Sequence, residues 1–268
     1  MFTSILQQIP QYCVPTHFIE LPESLLSFFS EDSIIPPLDL HNPSPDHTAL
    51  YNAFNSFHKP CFFKLSGNAP TDAKWMSGDL KVYSLNNGLC LLKASDRCSF
   101  DSYPQFLEIK PFVEIDPAHE FRLVVKQGEL KAIIQRHGEY FFPGIISGKH
   151  YLTQKFTRFI SKIQHTISDN SITYLINIYF NCKNCEWEKG TVRILDISEF
   201  LPENFPYINQ LTSQDCQFFA VEDPSLVFSS PIVSYSGLPI EVYNHDDGEA
   251  VWELIRSAKR EDQSNLID

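Results

Sequence analysis

Glycine is scarce in this chain, with 10 in 268 residues, and no apolar stretch approaches the length needed to cross a membrane. The glycine-rich signatures GxGxxG and GxSxG are absent, and so is the zinc-protease signature HExxH. One stretch, Gly144-Ile-Ile-Ser-Gly148-Lys149, resembles a phosphate-binding P-loop. It is one residue too short between its glycines, and His150 stands where a magnesium-binding hydroxyl is required. That stretch reads as an ordinary turn. Basic residues are also outnumbered: 21 Lys and Arg against 33 Asp and Glu give a formal net charge of -12. A broadly acidic surface repels phosphate backbones and anionic lipid, so neither nucleic acid nor a membrane is expected as a primary partner. A basic protein surface suits it better. The opening MFTSILQQIPQYC lacks the basic start and apolar run of a signal peptide. The seven cysteines, an odd and scattered set, fit reduced thiols better than a disulfide framework. A cytoplasmic location is expected.

What is present is core material. The hydrophobic fraction is 43% and there are 22 Phe, while 18 Pro stiffen the connections. Residues 1–46 are rich in proline and apolar residues but show little periodicity, and Ile35-Pro36-Pro37 and Asn42-Pro43-Ser44-Pro45 read as extended chain and turns. Asp46 or Thr48 would cap a short helix carrying Leu50, Phe54 and Phe57. Cys61–Leu65 reads as a buried strand, and Gly88–Lys93, Gln105–Phe112 and Phe121–Lys126 as further strands. Gln127-Gly128 turns the last of these into Glu129–Arg136. Over 150–167 the period changes: Leu152, Phe156, Phe159, Ile160, Ile163 and Ile167 share one helical face. Strands Thr173–Phe180 and Thr191–Ile197 follow, joined by a polar insertion, Asn181–Gly190. A final helix starts after Asp246-Asp247-Gly248, with aspartates at its start and Arg256, Lys259 and Arg260 at its end. The order predicts an α+β protein built on antiparallel sheets.

Cys182-x-x-Cys185 is half of a zinc site or a redox pair, but no second CxxC accompanies it, and two thiols in a polar hairpin is the better reading. His119 and His137 flank a strand pair and read as structural.

Five stretches in order carry a family resemblance. Lys64-Leu-Ser-Gly-Asn-Ala-Pro-Thr-Asp-Ala-Lys-Trp75 looks like a KLNWSxPxDAxWI signature, a strand, a loop and an aromatic anchor. Leu92-Lys-Ala-Ser-Asp96 is similar to LFKSSD. Glu120-Phe-Arg122 and Gln135-Arg136 match EFRCFV…ISQRD. Leu175-Ile-Asn-Ile-Tyr179 and Val192-Arg-Ile-Leu-Asp-Ile-Ser-Glu-Phe200 match VFDIY…VWLIDFNPF, and Pro231 to Ala258 resembles the ending SPYxSYxLPxD…GEDAxxLI. These are signatures of the cell-division-cycle-123 family of translation-factor assembly proteins, and the matches span roughly residues 60–260.

The resemblance implies a cytoplasmic, monomeric ATP-grasp-like domain with an N-terminal lobe over about 1–110 and a C-terminal lobe over 111–268, enclosing a nucleotide cleft. It implies ATP and Mg²⁺ as ligands and the gamma subunit of initiation factor 2 as the protein partner. By position, Lys64 would neutralise phosphate, the loop Ser66, Gly67, Asn68 and Ala69 would lie beside the triphosphate, and Lys110 and Phe112 would line the adenine pocket. Arg122 would pair with phosphate oxygens, with Lys93 and Gln135 as further candidates. Metal ligands would come from Asn177, Asp196 and Ser198, where the family has Asp, Asp and Asn; one formal negative charge is lost. Gly67 replaces a family Trp, and Thr71 usually a basic residue. A structural salt bridge between Arg122 and Glu120 is the rival reading of that pair. Two other functions stay open: an ATP-grasp-type enzyme acting by ligation, phosphoryl or nucleotidyl transfer, and a scaffold that has lost its nucleotide.

Overall fold

The computed structural model describes residues 2–31, 35–38, 44–98, 105–138, 140–167, 169, 171–182, 189–201 and 216–222. A three-stranded antiparallel sheet has the order β1 (His17–Glu20), β3 (Phe106–Pro111), β2 (Cys61–Leu65). A five-stranded sheet has the order β7 (Thr191–Glu199), β6 (Thr173–Asn181), β4 (Glu120–Lys126), β5 (Glu129–Gln135), β8 (Gln217–Phe219). It is antiparallel except for β8, which runs parallel to β5. The expected α+β class with antiparallel sheets is what the chain forms. The β4–β5 turn is the Gln127-Gly128 hairpin read from the sequence: both residues have positive φ, 55° and 75°, which suits the twist of a two-residue connection.

Each sheet has its own apolar core. One face of the first sheet, with Cys61, Phe63, Leu65, Leu107 and Ile109, packs against helices α2 (Glu23–Ser30), α3 (Pro45–Ser56) and α4 (Leu85–Lys93). One face of the second, with Phe121, Leu123, Ile133, Ile176 and Ile178, packs against α5 (Pro143–Ile163). Helix α1 (Phe2–Gln8) adds Ile5 and Leu6 to that second core.

Three sequence expectations are corrected. Gly88–Lys93, expected as a strand, is the body of α4. Ser84 caps it by accepting from the Asn87 N–H at 3.3 Å, and Leu85, Leu89 and Leu92 fall on one buried face. Gly88 is there because a β-carbon would collide with the Phe63 ring, so the glycine permits close helix–strand packing and does not mark a strand. Residues 1–46, in which the sequence shows little periodicity and predicts no element before residue 46, hold α1, a 3₁₀ turn over Pro10–Tyr12, β1 and α2. These pieces are too short to show periodicity, and they are held by burying Leu25, Phe28 and Phe29 in one core and Ile5, Leu6 and Ile9 in the other. The P-loop-like Gly144–Lys149 is no turn but the first part of α5, opened by Pro143 at the position where a missing N–H costs nothing. Ile145 and Gly148 begin the stripe that continues through Leu152 and Phe156, so this helix starts upstream of residue 150. The expected final helix and the Pro231–Ala258 stretch lie outside the described residues, as does Cys185.

Candidate functional site

Side-chain alternation along β2 and β3 puts Cys61, Phe63, Leu65, Leu107 and Ile109 on one face and Lys64, Glu108 and Lys110 on the other, with Phe62 beside them. Lys64 sits opposite Glu108, and Phe62 opposite Lys110. Lys64, Glu108 and Lys110 are each 5% exposed or less, so three charges are buried beneath the second sheet. Buried charges must be paired, and here the pairing crosses from one sheet to the other. Lys64 Nζ lies 2.7 Å from Asp196 Oδ2. Lys110 Nζ donates to the Leu195 carbonyl at 2.8 Å and lies 3.0 Å from Glu108 Oε2. Burial pushes the Glu108 carboxyl up, but Lys64, Lys110 and a hydrogen bond from the Gly67 N–H outweigh it and hold the group below the usual carboxylate range.

The register of the second sheet builds the other half. Arg122 on β4 is opposite Asn177 on β6, and Asn177 is opposite Asp196 on β7, so the three form one row across the strands. An irregularity in the β6–β7 pairing makes Leu195 the extra residue between Ile194 and Asp196. It turns Asp196 away from the core face occupied by Ile194 and Ile197, and offers the Leu195 carbonyl to Lys110. Ser198, opposite Leu175, is two residues from Asp196 along the same strand and on the same face. The Asn177 Oδ1 atom is buried and, among the described residues, has no hydrogen-bond partner. Burial lowers the Arg122 guanidinium to about 10, helped by the positive charge of Arg136 and opposed by Glu120. The Glu120 carboxylate itself is taken by His137 at 2.9 Å and Arg136 at 3.6 Å.

Ser66 and Gly67 form a tight turn with φ of 45° and 89°, closed by Leu65 and Asn68 exchanging backbone hydrogen bonds at 2.8 Å. The Ser66 hydroxyl is engaged within the protein, donating to Gln105 Oε1 at 2.8 Å and accepting from the Phe106 N–H at 3.2 Å. Asn68 offers its carbonyl to the Cys98 thiol at 3.7 Å, and Ala69 its carbonyl to the Thr71 N–H at 2.8 Å. Phe112 is half-buried, its ring edge-on to Phe62 at 6.5 Å, with Lys81 5.3 Å from its centre.

Lys64, Lys110, Asp196 and Glu108 therefore meet, with Arg122 and Asn177 continuing the same row, Ser198 beside Asp196, and Gly67 within hydrogen-bond reach. Two candidates stand apart. The Lys93 ammonium bonds the carbonyls of Phe28 and Glu31 at the end of α2 and lies over the Phe28 ring at 4.2 Å. Gln135 is opposite Phe121, on the core face, and its amide donates to the carbonyls of His137 and Tyr140. Trp75 is not an anchor: it is 57% exposed. His119 and Cys182 face each other, Nε2 to Sγ 3.3 Å, and the thiol packs on the second core away from the charged row. Glu108 is the residue that sequence reasoning missed. Its signal was alternation, a Glu and a Lys two apart alternating with Leu107 and Ile109.

The donor set suits a hard cation. Asp196 gives a carboxylate, Asn177 a buried carbonyl oxygen that no described residue hydrogen-bonds, and Ser198 a hydroxyl. Among the described residues no group of three or more His, Cys, Asp and Glu is placed to hold a metal. Any cation here thus depends on the neutral oxygens of Asn177 and Ser198. Among the described residues no helix is long and apolar enough to cross a membrane.

Comparison with known proteins places this geometry in a family. The structure of Cdc123 from Schizosaccharomyces pombe superposes with a TM-score of 0.67 at 18% identity, over 82% of this chain and 94% of that one, so the fold is that of Cdc123. Cell division cycle protein 123 of Yarrowia lipolytica is 24% identical over 90% of this chain and 76% of its own length. The translation initiation factor eIF2 assembly protein of Candida albicans is 29% identical over 73% of this chain and 62% of its own length, and that of Xenopus laevis 26% over 77% and 69%. The D123 family model matches residues 44–215, and the chain belongs to the D123 family.

Proposed function

We propose that this chain binds ATP with Mg²⁺ between its two sheets, in the manner of an ATP-grasp cleft, and acts in the cytoplasm as an assembly factor for the gamma subunit of initiation factor 2 or a related protein. The observation that carries the nucleotide half is the convergence of Lys64, Lys110 and Arg122 with the oxygen donors Asn177 and Asp196. A triphosphate needs several cations and aligned donors in one place, and separate surface lysines would not supply them. Bound Mg²⁺ would supply positive charge against the phosphate oxygens, held by Asp196 with Asn177 and Ser198. Lys64 and Arg122 would bind phosphate from opposite sides, and Phe112 offers a ring face for a purine. The partner half rests on relatives named as eIF2 assembly proteins, and a net charge of -12 suits a basic partner surface.

Isothermal titration with ATP and ADP, with and without Mg²⁺, tests the first half, and pull-down of isolated gamma subunit tests the second. Binding at submillimolar nucleotide is expected, together with gamma-subunit capture. No heat at millimolar nucleotide would overturn the nucleotide reading, and absence of capture with and without ATP would overturn the partner reading.

A further inference from the structure

The donors that a phosphate would use are already occupied, and their occupants are carboxylates. Asp196 holds Lys64 at 2.7 Å, while Glu108 lies 3.0 Å from the Lys110 ammonium, with the Gly67 N–H close by. Two ammonium groups and a turn amide thus face two carboxylates in a nearly closed space: Lys64, Glu108 and Lys110 are each 5% exposed or less. An incoming polyphosphate adds negative charge to a cluster that is already neutral, so it must displace a carboxylate or be repelled by it. Asp196 can move onto a cation, because Asn177 and Ser198 stand beside it with oxygen donors. Glu108 has no such exit, being 2% exposed on a central strand between β1 and β2.

We propose that Glu108 is an internal counter-anion that sets the phosphate affinity of this site, competing with ligand phosphate for Lys110, Lys64 and the Gly67 amide. The inference rests on the nucleotide reading above and deepens it. Its consequence has a definite sign. Removing the charge of Glu108 while keeping its shape tightens polyphosphate binding, whereas a residue that contacted ribose or base would weaken binding when changed. Asp196 acts in the same sense on Lys64, but metal relieves its effect and does not relieve that of Glu108.

The experiment is calorimetry on the full chain with ATP in EDTA, ATP with excess Mg²⁺, and inorganic tripolyphosphate. The proteins are the wild type, Glu108→Gln and Asp196→Asn, with thermal melts to verify folding. Glu108→Gln is expected to bind metal-free ATP and tripolyphosphate on the order of tenfold tighter than the wild type, equivalent to about 1.4 kcal/mol. Asp196→Asn is expected to gain in metal-free binding and to lose the difference that Mg²⁺ makes. Unchanged or weaker tripolyphosphate binding by a folded Glu108→Gln overturns the proposal, and so does a gain seen with ATP but not with tripolyphosphate. Should Glu108→Gln not fold, Asp196→Asn decides: no gain in metal-free binding overturns the idea of internal competition. A wild type that binds Mg–ATP, with variants that gain nothing, leaves the nucleotide reading standing and removes this one. A wild type that does not bind Mg–ATP removes the nucleotide reading, while a tripolyphosphate gain in Glu108→Gln would still support the competition.

Discussion

Asp72 and Ser95 are bonded across the first core, Ser95 Oγ donating to Asp72 Oδ1 at 2.5 Å while the Asp96 N–H donates to Oδ2 at 2.8 Å. One carboxylate thereby fastens the 3₁₀ turn over Thr71–Met76 to the exit of α4, just after Lys93. The stretches Lys64–Trp75 and Leu92–Asp96, separate in the sequence, are joined in space by these bonds. Cys98, just beyond, bonds the Asn68 carbonyl in the turn that carries Ser66 and Gly67; none of Asp72, Ser95 or Asp96 is in the charged row. Asp72→Ala should cost about 2–3 kcal/mol, the scale of hydrogen bonds to a charged group. Urea denaturation reads it directly. Adding Ser95→Ala to Asp72→Ala should cost less than Ser95→Ala does alone, because the bond between the two is already gone and only the contacts of Ser95 with Arg97 and Cys98 remain to be lost. Full additivity would mean that the two residues act separately.

Gly88 supplies a second test, because two general effects oppose each other there. Alanine is the better helix former by about 1 kcal/mol in an exposed position. At Gly88 an added β-carbon would sit 2.8 Å from Val82 Cγ1 and closer still to the Phe63 ring. Overpacking of this kind costs roughly 1–3 kcal/mol, so Gly88→Ala should be destabilising on balance. A rise in denaturation midpoint would show that α4 can lift from β2 freely.

Legibility followed the range of the forces involved. The β4–β5 hairpin and the body of α5 were readable because their signals are local: a Gln-Gly turn, and apolar residues at helical spacing. The α4 helix was misread because its apolar face and its glycine both imitate a buried strand, and only Phe63 and Val82, supplied by β2 and its neighbouring bridge, show why a glycine is needed. Resemblance and order singled out Lys64, Lys110, Arg122, Asn177, Asp196 and Ser198 as candidates. Their mutual arrangement was not legible, because it arises from strand register and from the extra residue Leu195. Glu108 escaped because it belongs to no matched stretch; its role comes from two lysines brought to it by pairing and by contact with β7. Lys93 and Gln135 were plausible by chemistry alone, and packing directed both elsewhere.

Asn177 stands where the family resemblance leads one to expect an aspartate, and introducing that charge should be informative. Asn177→Asp places a second carboxylate beside Asp196, with Arg122 opposite on the neighbouring strand to limit the repulsion. Ligand charge is a main determinant of affinity at oxygen-coordinated cation sites. Binding of ATP with Mg²⁺ in excess should tighten on the order of tenfold, about 1.4 kcal/mol, while metal-free ATP should bind no better than to the wild type. Calorimetry under both conditions separates the two. Equal improvement with and without Mg²⁺ would remove Asn177 from the metal ligands.

Cys98 predicts how stability changes in alkali. The residue is 2% exposed, and burial pushes its thiol from the ordinary 9.0 up to about 11, opposed in part by a hydrogen bond with Ser95. In the unfolded chain the thiol ionises near its ordinary value, so between pH 9 and 11 the unfolded state holds fewer protons than the folded one. Stability then falls as pH rises through that window, by at most about 2–3 kcal/mol for this one group. Cys13 and Cys216 are raised to about 11 as well and contribute in the same direction, whereas Arg122, lowered to about 10, contributes in the opposite one at the upper end. Comparing wild type with Cys98→Ala cancels those shared contributions. Urea midpoints at a series of pH values under reducing conditions should show the variant losing less stability than the wild type from pH 9 to 10.5. Parallel curves would mean that the thiolate of Cys98 is accommodated in the folded protein, and that the turn around Asn68, whose carbonyl the thiol bonds at 3.7 Å, opens more readily than its packing implies.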